Sequence, residues 1–222
     1  MLAVVGCENP DDTDPRFKNF SRTVAMADND EMRLIMPASP CSYLPDETQS
    51  LEHRVPASMA ETEYADLLEH GWRRHGRYFF RPACPSCVKC RSLRVDVNAF
   101  RPTKSQRRIA RKNEDIRWKL RPASVTDDHI RIFNAYHRDM QSRRGWRENH
   151  TDADDYYSAF LAGDWEFAWE FAFFRGNTLL GISLVDLVGD VSSSIYFYHD
   201  PIWRPHGPGT FSLLCELPRQ WL

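Results

Sequence analysis

Three thiols stand at two successive Cys-x-x-Cys intervals in Cys84-Pro-Ser-Cys87-Val-Lys-Cys90. A turn with that spacing can present its sulfurs to one metal centre. Cys41 is the natural fourth ligand. Four thiolates suit a tetrahedral zinc ion or an iron-sulfur cluster, and spacing alone does not separate the two. The competing reading is a set of reduced cysteines with no ligand. Cys7 and Cys215 stand alone and read as a tail thiol and a core thiol. Six cysteines in 222 residues are too sparse for a disulfide scaffold, so the expected compartment is reducing, with the cytoplasm as default.

A second group is basic. From Arg101 through Lys104, Arg107, Arg108, Arg111, Lys112, Arg117 and Lys119 to Arg121 the chain carries nine basic side chains and two acidic ones. That density creates a local positive potential suited to phosphate or RNA, bound through counterion release. Pairing with the acidic remainder of the chain is the competing explanation. A third group, Arg204-Pro-His-Gly207-Pro-Gly209-Thr, has the Arg-x-x-Gly-x-Gly spacing with which acyl-CoA acetyltransferases hold a pyrophosphate at a helix start. Pro205 and Pro208 each delete a backbone donor, so no CoA is expected and a plain helix-opening turn fits as well.

Elements of mixed type must position these groups. Ala60 to His70 has apolar residues at helical intervals and is stopped by Gly71. Tyr78-Phe79-Phe80 and Leu93 to Val97 read as strands, which puts the cysteine cluster on a turn between them. A short basic helix is expected from Thr103 to Lys112, and a strand from Ile116 to Leu120. Helices follow at Asp127 to Arg143, with Thr126 as N-cap, and at Asp152 to Ala162. Trp165 to Phe174, Thr178 to Val188 and Ser193 to Tyr198 then form three consecutive strands joined by short turns such as Gly176-Asn177, an antiparallel meander. A glycine-containing loop opens a last helix from Thr210 to Leu217, interrupted by Pro218. Helices, three antiparallel strands and a glycine loop opening a helix make the order of an acetyltransferase-type domain, an analogy of fold that does not fix the chemistry.

The chain's formal charge of −2 conceals a division. Residues 1–70 carry 5 basic and 14 acidic side chains, residues 71–121 carry 16 and 3, and residues 122–222 carry 8 and 14. Acidic ends therefore flank a centre of +13. No apolar run approaches the roughly 18–20 residues of a membrane-spanning helix. Met1 to Cys7 lacks the basic region and apolar core of a secretory signal and reads as unstructured or as a misassigned start. Residues 1–40 show no sustained period and are expected to be a disordered lead-in.

Six blocks in order resemble the aminoacyl-tRNA protein transferases, the arginyl and leucyl enzymes that modify protein N-termini. They are Pro40-Cys-Ser-Tyr-Leu-Pro45, Gly71-Trp-Arg-Arg-His-Gly76, Tyr78 to Cys90, Phe100 to Arg108, Ser193 to Pro201 and Gly209 to Leu214. Leu44 stands where eukaryotic arginyl members carry a second cysteine, as in the bacterial members. His199 stands where an aromatic residue is usual. The resemblance implies an α+β fold with a small cysteine-containing domain over 41–100 and an acetyltransferase-like (GNAT-type) domain over 101–222, mainly antiparallel. Members of that kind continue past the helix ending near Leu217, so the second domain is expected to be C-terminally truncated.

The implied reaction joins an amino acid, arginine or leucine, from aminoacyl-tRNA to the α-amine of proteins that begin with an acidic residue, marking them for degradation. An α-amine with a pKa of about 7.7–8.0 needs only a modest base. The enzyme must supply orientation and oxyanion donors, for which a splayed strand's N–H groups and the hydroxyls of Tyr196 or Tyr198 are candidates, with Asp200 as base or ammonium partner. The competing role for Asp200 is to start a turn ahead of Pro201. By block membership Arg81, Arg107 and Arg108 would read the carboxylate, and Lys104 and Gln106 with the remaining bases would hold the acceptor stem. His70, His75 and His137 read as surface residues and Trp72 as core. Two other classes stay open: an acyl-CoA N-acetyltransferase, and a metal-stabilised RNA-binding module or inactive truncated family member. No membrane partner is expected.

Overall fold

The computed structural model describes residues 31–217 in full and the backbone of two further strands, β1 (Leu2–Val4) and β2 (Ala25–Ala27). Cys7, most of the segment 1–30 and the Pro218 helix interruption lie outside the described residues. The fold is mixed α and β, with sheets that are almost wholly antiparallel.

The first half forms a five-stranded antiparallel sheet in the order β2-β3-β6-β8-β7. Its strands are β3 (Glu31–Ile35), β6 (Leu51–Pro56), β7 (Arg73–His75) and β8 (Tyr78–Pro82). A small hairpin of β4 (Ser39–Pro40) and β5 (Thr48–Gln49) precedes β6. The expected disorder of residues 1–40 is therefore corrected for 31–40. Glu31 on β3 bonds Arg33 and Arg54, which lets a charged, non-periodic segment pair as a strand. Helix α1 (Glu61–Glu69) buries Tyr64, Leu67 and Leu68 against Phe79, Trp165 and Phe167. Each such side chain contributes about 1.5–3 kcal/mol through burial.

The second half is built on the meander β11 (Ala168–Arg175), β12 (Thr178–Val188) and β13 (Val191–His199). The edge strand β10 (Ile116–Pro122) extends it on one side, while β1 and β9 (Leu93–Val95) close the other end. Helices cover both faces, which is why β12 is buried along almost its whole length. Helix α3 (Asp127–Arg144), the short α4 (Ala153–Tyr156) and a π turn at Tyr157–Leu161 pack on one face around Phe133, Tyr156, Phe160 and Tyr198. Helices α2 (Lys104–Lys112) and α5 (Pro208–Glu216) pack on the other, around Phe173, Trp203 and Phe211. Asp127 and Asp128 at one end of α3, Arg143 and Arg144 at the other, and a left-handed Gly145 explain its limits.

A buried ion pair locks the halves together. Arg74 on β7 forms a two-pronged contact with Asp186 on β12, at 2.9 and 2.6 Å, and Tyr64 donates to the same carboxylate at 2.7 Å. Nearby, Gly76 turns β7 into β8 with a φ of +55°, and an added Cβ would press into the Ser158 carbonyl of the π turn. Only glycine serves both the turn and that close approach.

Candidate active site

Polar side chains gather where β13 meets α3 and the first sheet. Along β12 and β13, Leu184 faces Tyr196 while Val185 faces Ser194, so Ile195 is an extra residue, a β-bulge. β1 pairs with β13 only at Ser192 and Ser193. From Ser194 to His199 that edge of the strand carries no partner strand among the described residues.

Beside the bulge the Tyr196 hydroxyl is 3.1 Å from His137 Nε2, and the His137 ring stacks 4.2 Å from Phe133. His137 is buried, whereas the sequence placed it at the surface. The signal was available: His129, Phe133 and His137 recur every four residues and line the buried stripe of α3. Tyr198 differs from Tyr196. It is fully buried and its hydroxyl sits 2.8 Å from that of Tyr156, with burial pushing its pKa far up, so it packs the interior and Tyr196 alone of the pair lies at the accessible edge. Asp200 uses Oδ1 to accept the Ile202 N–H at 3.0 Å and Oδ2 to face Arg131 at 3.4 Å. It caps the 3-10 turn Pro201–His206, the turn-starting role. His199 fills an aromatic slot between Tyr136, Phe197 and Trp203, where burial lowers its pKa.

The basic segment is split by the sheet. Lys104, Arg107, Arg108, Arg111 and Lys112 are exposed on α2, whereas Arg117, Lys119 and Arg121 alternate on the α3 face of β10. Arg121 is committed to the buried Glu170 at 2.6 Å, which also faces His129 at 3.1 Å. Gln106 closes a capping box with Thr103, accepting its N–H at 2.7 Å, and so shapes the helix start. Arg81 bonds Glu52 at 2.8 Å and lies 4.8 Å over the Trp72 ring, on the α1 side of the first sheet. The structure thus separates Arg81 from Arg107 and Arg108 and brings none of them to Tyr196.

The cysteines share a neighbourhood. The Ser50 carbonyl accepts from the Ala83 N–H and faces the Cys84 thiol, while Lys89 reaches Glu47 in the hairpin that carries Cys41. Among the described residues, however, no three His, Cys, Asp or Glu side chains converge as a metal centre requires. At the start of α5 the loop offers few donors: Pro208 has no N–H and the Phe211 N–H returns to the Gly207 carbonyl.

Two further acid–base groups escaped the sequence reading. His53 on β6 is buried, and burial together with the neighbouring His75 lowers its pKa to about 4. Glu216 on α5 accepts from Ser183 at 2.7 Å and from Ser194 beside the bulge. Burial of its carboxyl pushes the pKa up to about 7 against the lowering effect of the Ser194 and Ser183 bonds. A carboxyl raised in the folded state favours folding while protonated in both states, below about 4.5, and loses that contribution as pH rises through 7. Glu216→Gln is therefore expected to leave stability unchanged at pH 4 and to raise it by about 3 kcal/mol at pH 8, read from urea midpoints at the two pH values.

Comparison with known proteins decides the family. Residues 39–108 match the family described as arginine-tRNA-protein transferase, N terminus, and residues 128–220 match its C terminus. A protein of Campylobacter jejuni named aspartate/glutamate leucyltransferase is 34% identical over 177 residues, covering 80% of this chain and 74% of that one. The chain belongs to the arginine-tRNA-protein transferase family. Similar relatives with the same leucyltransferase name occur in Saccharophagus degradans, 30% identical over 86% of this chain and 81% of the relative, and in Nitrosococcus oceani, 34% identical over 82% and 76%. The N-terminal match ends inside α2 and the C-terminal match begins inside α3. In this family member the Arg74–Asp186 pair thus joins the two matched segments, and the edge at Tyr196 lies within the second.

Proposed function

We propose that this chain transfers leucine from leucyl-tRNA to the α-amine of proteins that begin with aspartate or glutamate. The observation that carries the reading is the extended similarity to proteins named aspartate/glutamate leucyltransferase, spanning both halves of the fold. The geometry supports it. We read a meander with a bulge on its third strand, followed by a glycine loop opening a helix, as an acetyltransferase-type arrangement. The bulge at Ile195 and the edge beyond Ser194, which has no partner strand among the described residues, would offer backbone N–H groups to an ester carbonyl in this reading.

In the reaction the amine nitrogen forms a bond to the leucyl carbonyl carbon, and the bond from that carbon to the tRNA ribose oxygen breaks. The amine loses one proton and the departing oxygen gains one. No covalent enzyme intermediate is needed, because an amine with a pKa of about 7.7–8.0 is partly free at neutrality. In this reading Tyr196, whose hydroxyl lies 3.1 Å from His137 Nε2, holds and passes a proton. The exposed bases of α2 supply the phosphate contacts for the acceptor stem.

The test uses peptides beginning with Asp, Glu, Asn or Ala, mixed with leucyl-tRNA and the full chain. A mass gain of one leucine on the Asp and Glu peptides alone is expected. Equal gain on all four would overturn the acidic preference.

A further inference from the structure

On one face of the first sheet two buried nitrogens, His53 Nδ1 and Arg73 Nε, have no hydrogen-bond partner among the described residues. His53 on β6 is in register with Phe80 on β8, and Phe80 with Arg73 on β7, so the three side chains share a face. Tyr78 and His75, paired two residues along, lie on it too. It is the face opposite α1, since Phe79 on the reverse side packs 4.9 Å from Tyr64. His75 stands edge-on to Phe160 at 5.5 Å, and Phe160 stacks 5.4 Å from Tyr196. The face is therefore continuous with the site at the β13 edge.

His53 is only 5% exposed, and its Nδ1 has no hydrogen-bond partner among the described residues. Arg73 Nε is also buried without one, and among the described residues the guanidinium makes one bond, a long one of 3.4 Å from its NH2 group to Ser92 Oγ. No carboxylate pairs with Arg73 among the described residues. The contrast with Arg54, Arg74 and Arg81 on the reverse side is direct, because each of those is matched to an acid. An unpaired buried donor costs about 1–3 kcal/mol, and more on a cation, a cost that a bound anion would remove. Phe80 separates the two donors by about one strand spacing, roughly 5 Å, on each side, leaving an apolar floor flanked by a guanidinium and an imidazole. A planar carboxylate on a short aliphatic stem matches that combination.

We propose that Arg73 and His53 form the subsite that receives the acidic side chain of the acceptor's first residue, while its α-amine lies toward Tyr196. This rests on the transferase reading and adds to it the residues that confer acceptor choice.

The experiment measures kcat/KM for peptides beginning with Asp and with Asn, at saturating leucyl-tRNA. Arg73→Gln is expected to lower the Asp-to-Asn ratio at least tenfold, mainly through KM, and His53→Phe several-fold. Arg73→Lys, which keeps charge but not the fork, is expected to fall between. Arg175→Gln on the far hairpin leaves the ratio unchanged. A ratio unaltered in both Arg73→Gln and His53→Phe, with folding confirmed by circular dichroism, overturns the subsite. A second arm titrates the same peptides into the chain without tRNA. Preferential binding of the Asp peptide that Arg73→Gln abolishes upholds the subsite even where no leucine is transferred, a result that would count against the transferase reading alone. Equal binding of both peptides by the unaltered chain counts against the subsite.

Discussion

Asp186→Ala is expected to destabilise the folded chain by about 3–5 kcal/mol, the cost of leaving a buried guanidinium without its partner. Arg74 and Asp186 are both inaccessible to solvent, and Tyr64 loses its acceptor in the same substitution. A domain holds only about 5–15 kcal/mol in total, so the loss removes a large share. The remaining bonds of Arg74, to the carbonyls of Gly76 and Phe160, fix the turn that touches the π helix, so damage should spread across the junction of the halves. Urea unfolding followed by tryptophan fluorescence measures it. The double substitution Arg74→Met with Asp186→Leu should recover much of the loss, because an apolar pair leaves no unpaired charge. A single-variant loss below 1 kcal/mol would show that the pair does not join the halves.

Replacing Lys104, Arg107 and Arg108 together by glutamine is expected to weaken tRNA binding about 100- to 1,000-fold at 0.1 M salt. The slope of log affinity against log salt should flatten by about 2–3, close to one per phosphate contact removed. The three are exposed on one amphipathic helix whose apolar side, through Ile109, packs beside Trp203 and Phe211, so the change should not disturb the core. Filter binding at several salt concentrations gives both quantities. An unchanged slope would move the tRNA to another surface, for which Arg117 and Lys119 on the opposite face are the alternative.

How far the sequence reveals this molecule depends on which residues satisfy one another locally. The helix over Glu61–Glu69, the strand Tyr78–Pro82 and the meander over 168–199 follow periodicities that packing reinforces, and the structure has them close to the expected limits. Strands β3 and β6 were invisible because their polar residues pair across the sheet: Arg54 meets Glu31 and Glu63, contacts no local pattern encodes. The same limit applies at the site. Basic density between Arg101 and Arg121 was legible, but the division of that density between two faces needs the sheet that runs through it. Arg81 stands in a family-like block, yet its partners Glu52 and Trp72 are fixed by strand register and helix end. The helix stripe of His129, Phe133 and His137 could have been found by counting in fours. The neighbours of His53, Arg73 and Glu216 come from strands and helices distant in sequence.

In the proposed reaction the acyl donor is an aminoacyl ester of tRNA. The most direct measurement is the intact mass of an Asp-starting peptide after incubation with the full chain and either leucyl-tRNA or acetyl-CoA. A gain of one leucine residue with leucyl-tRNA and no acetyl gain is expected. Acetylation without leucine addition would contradict it.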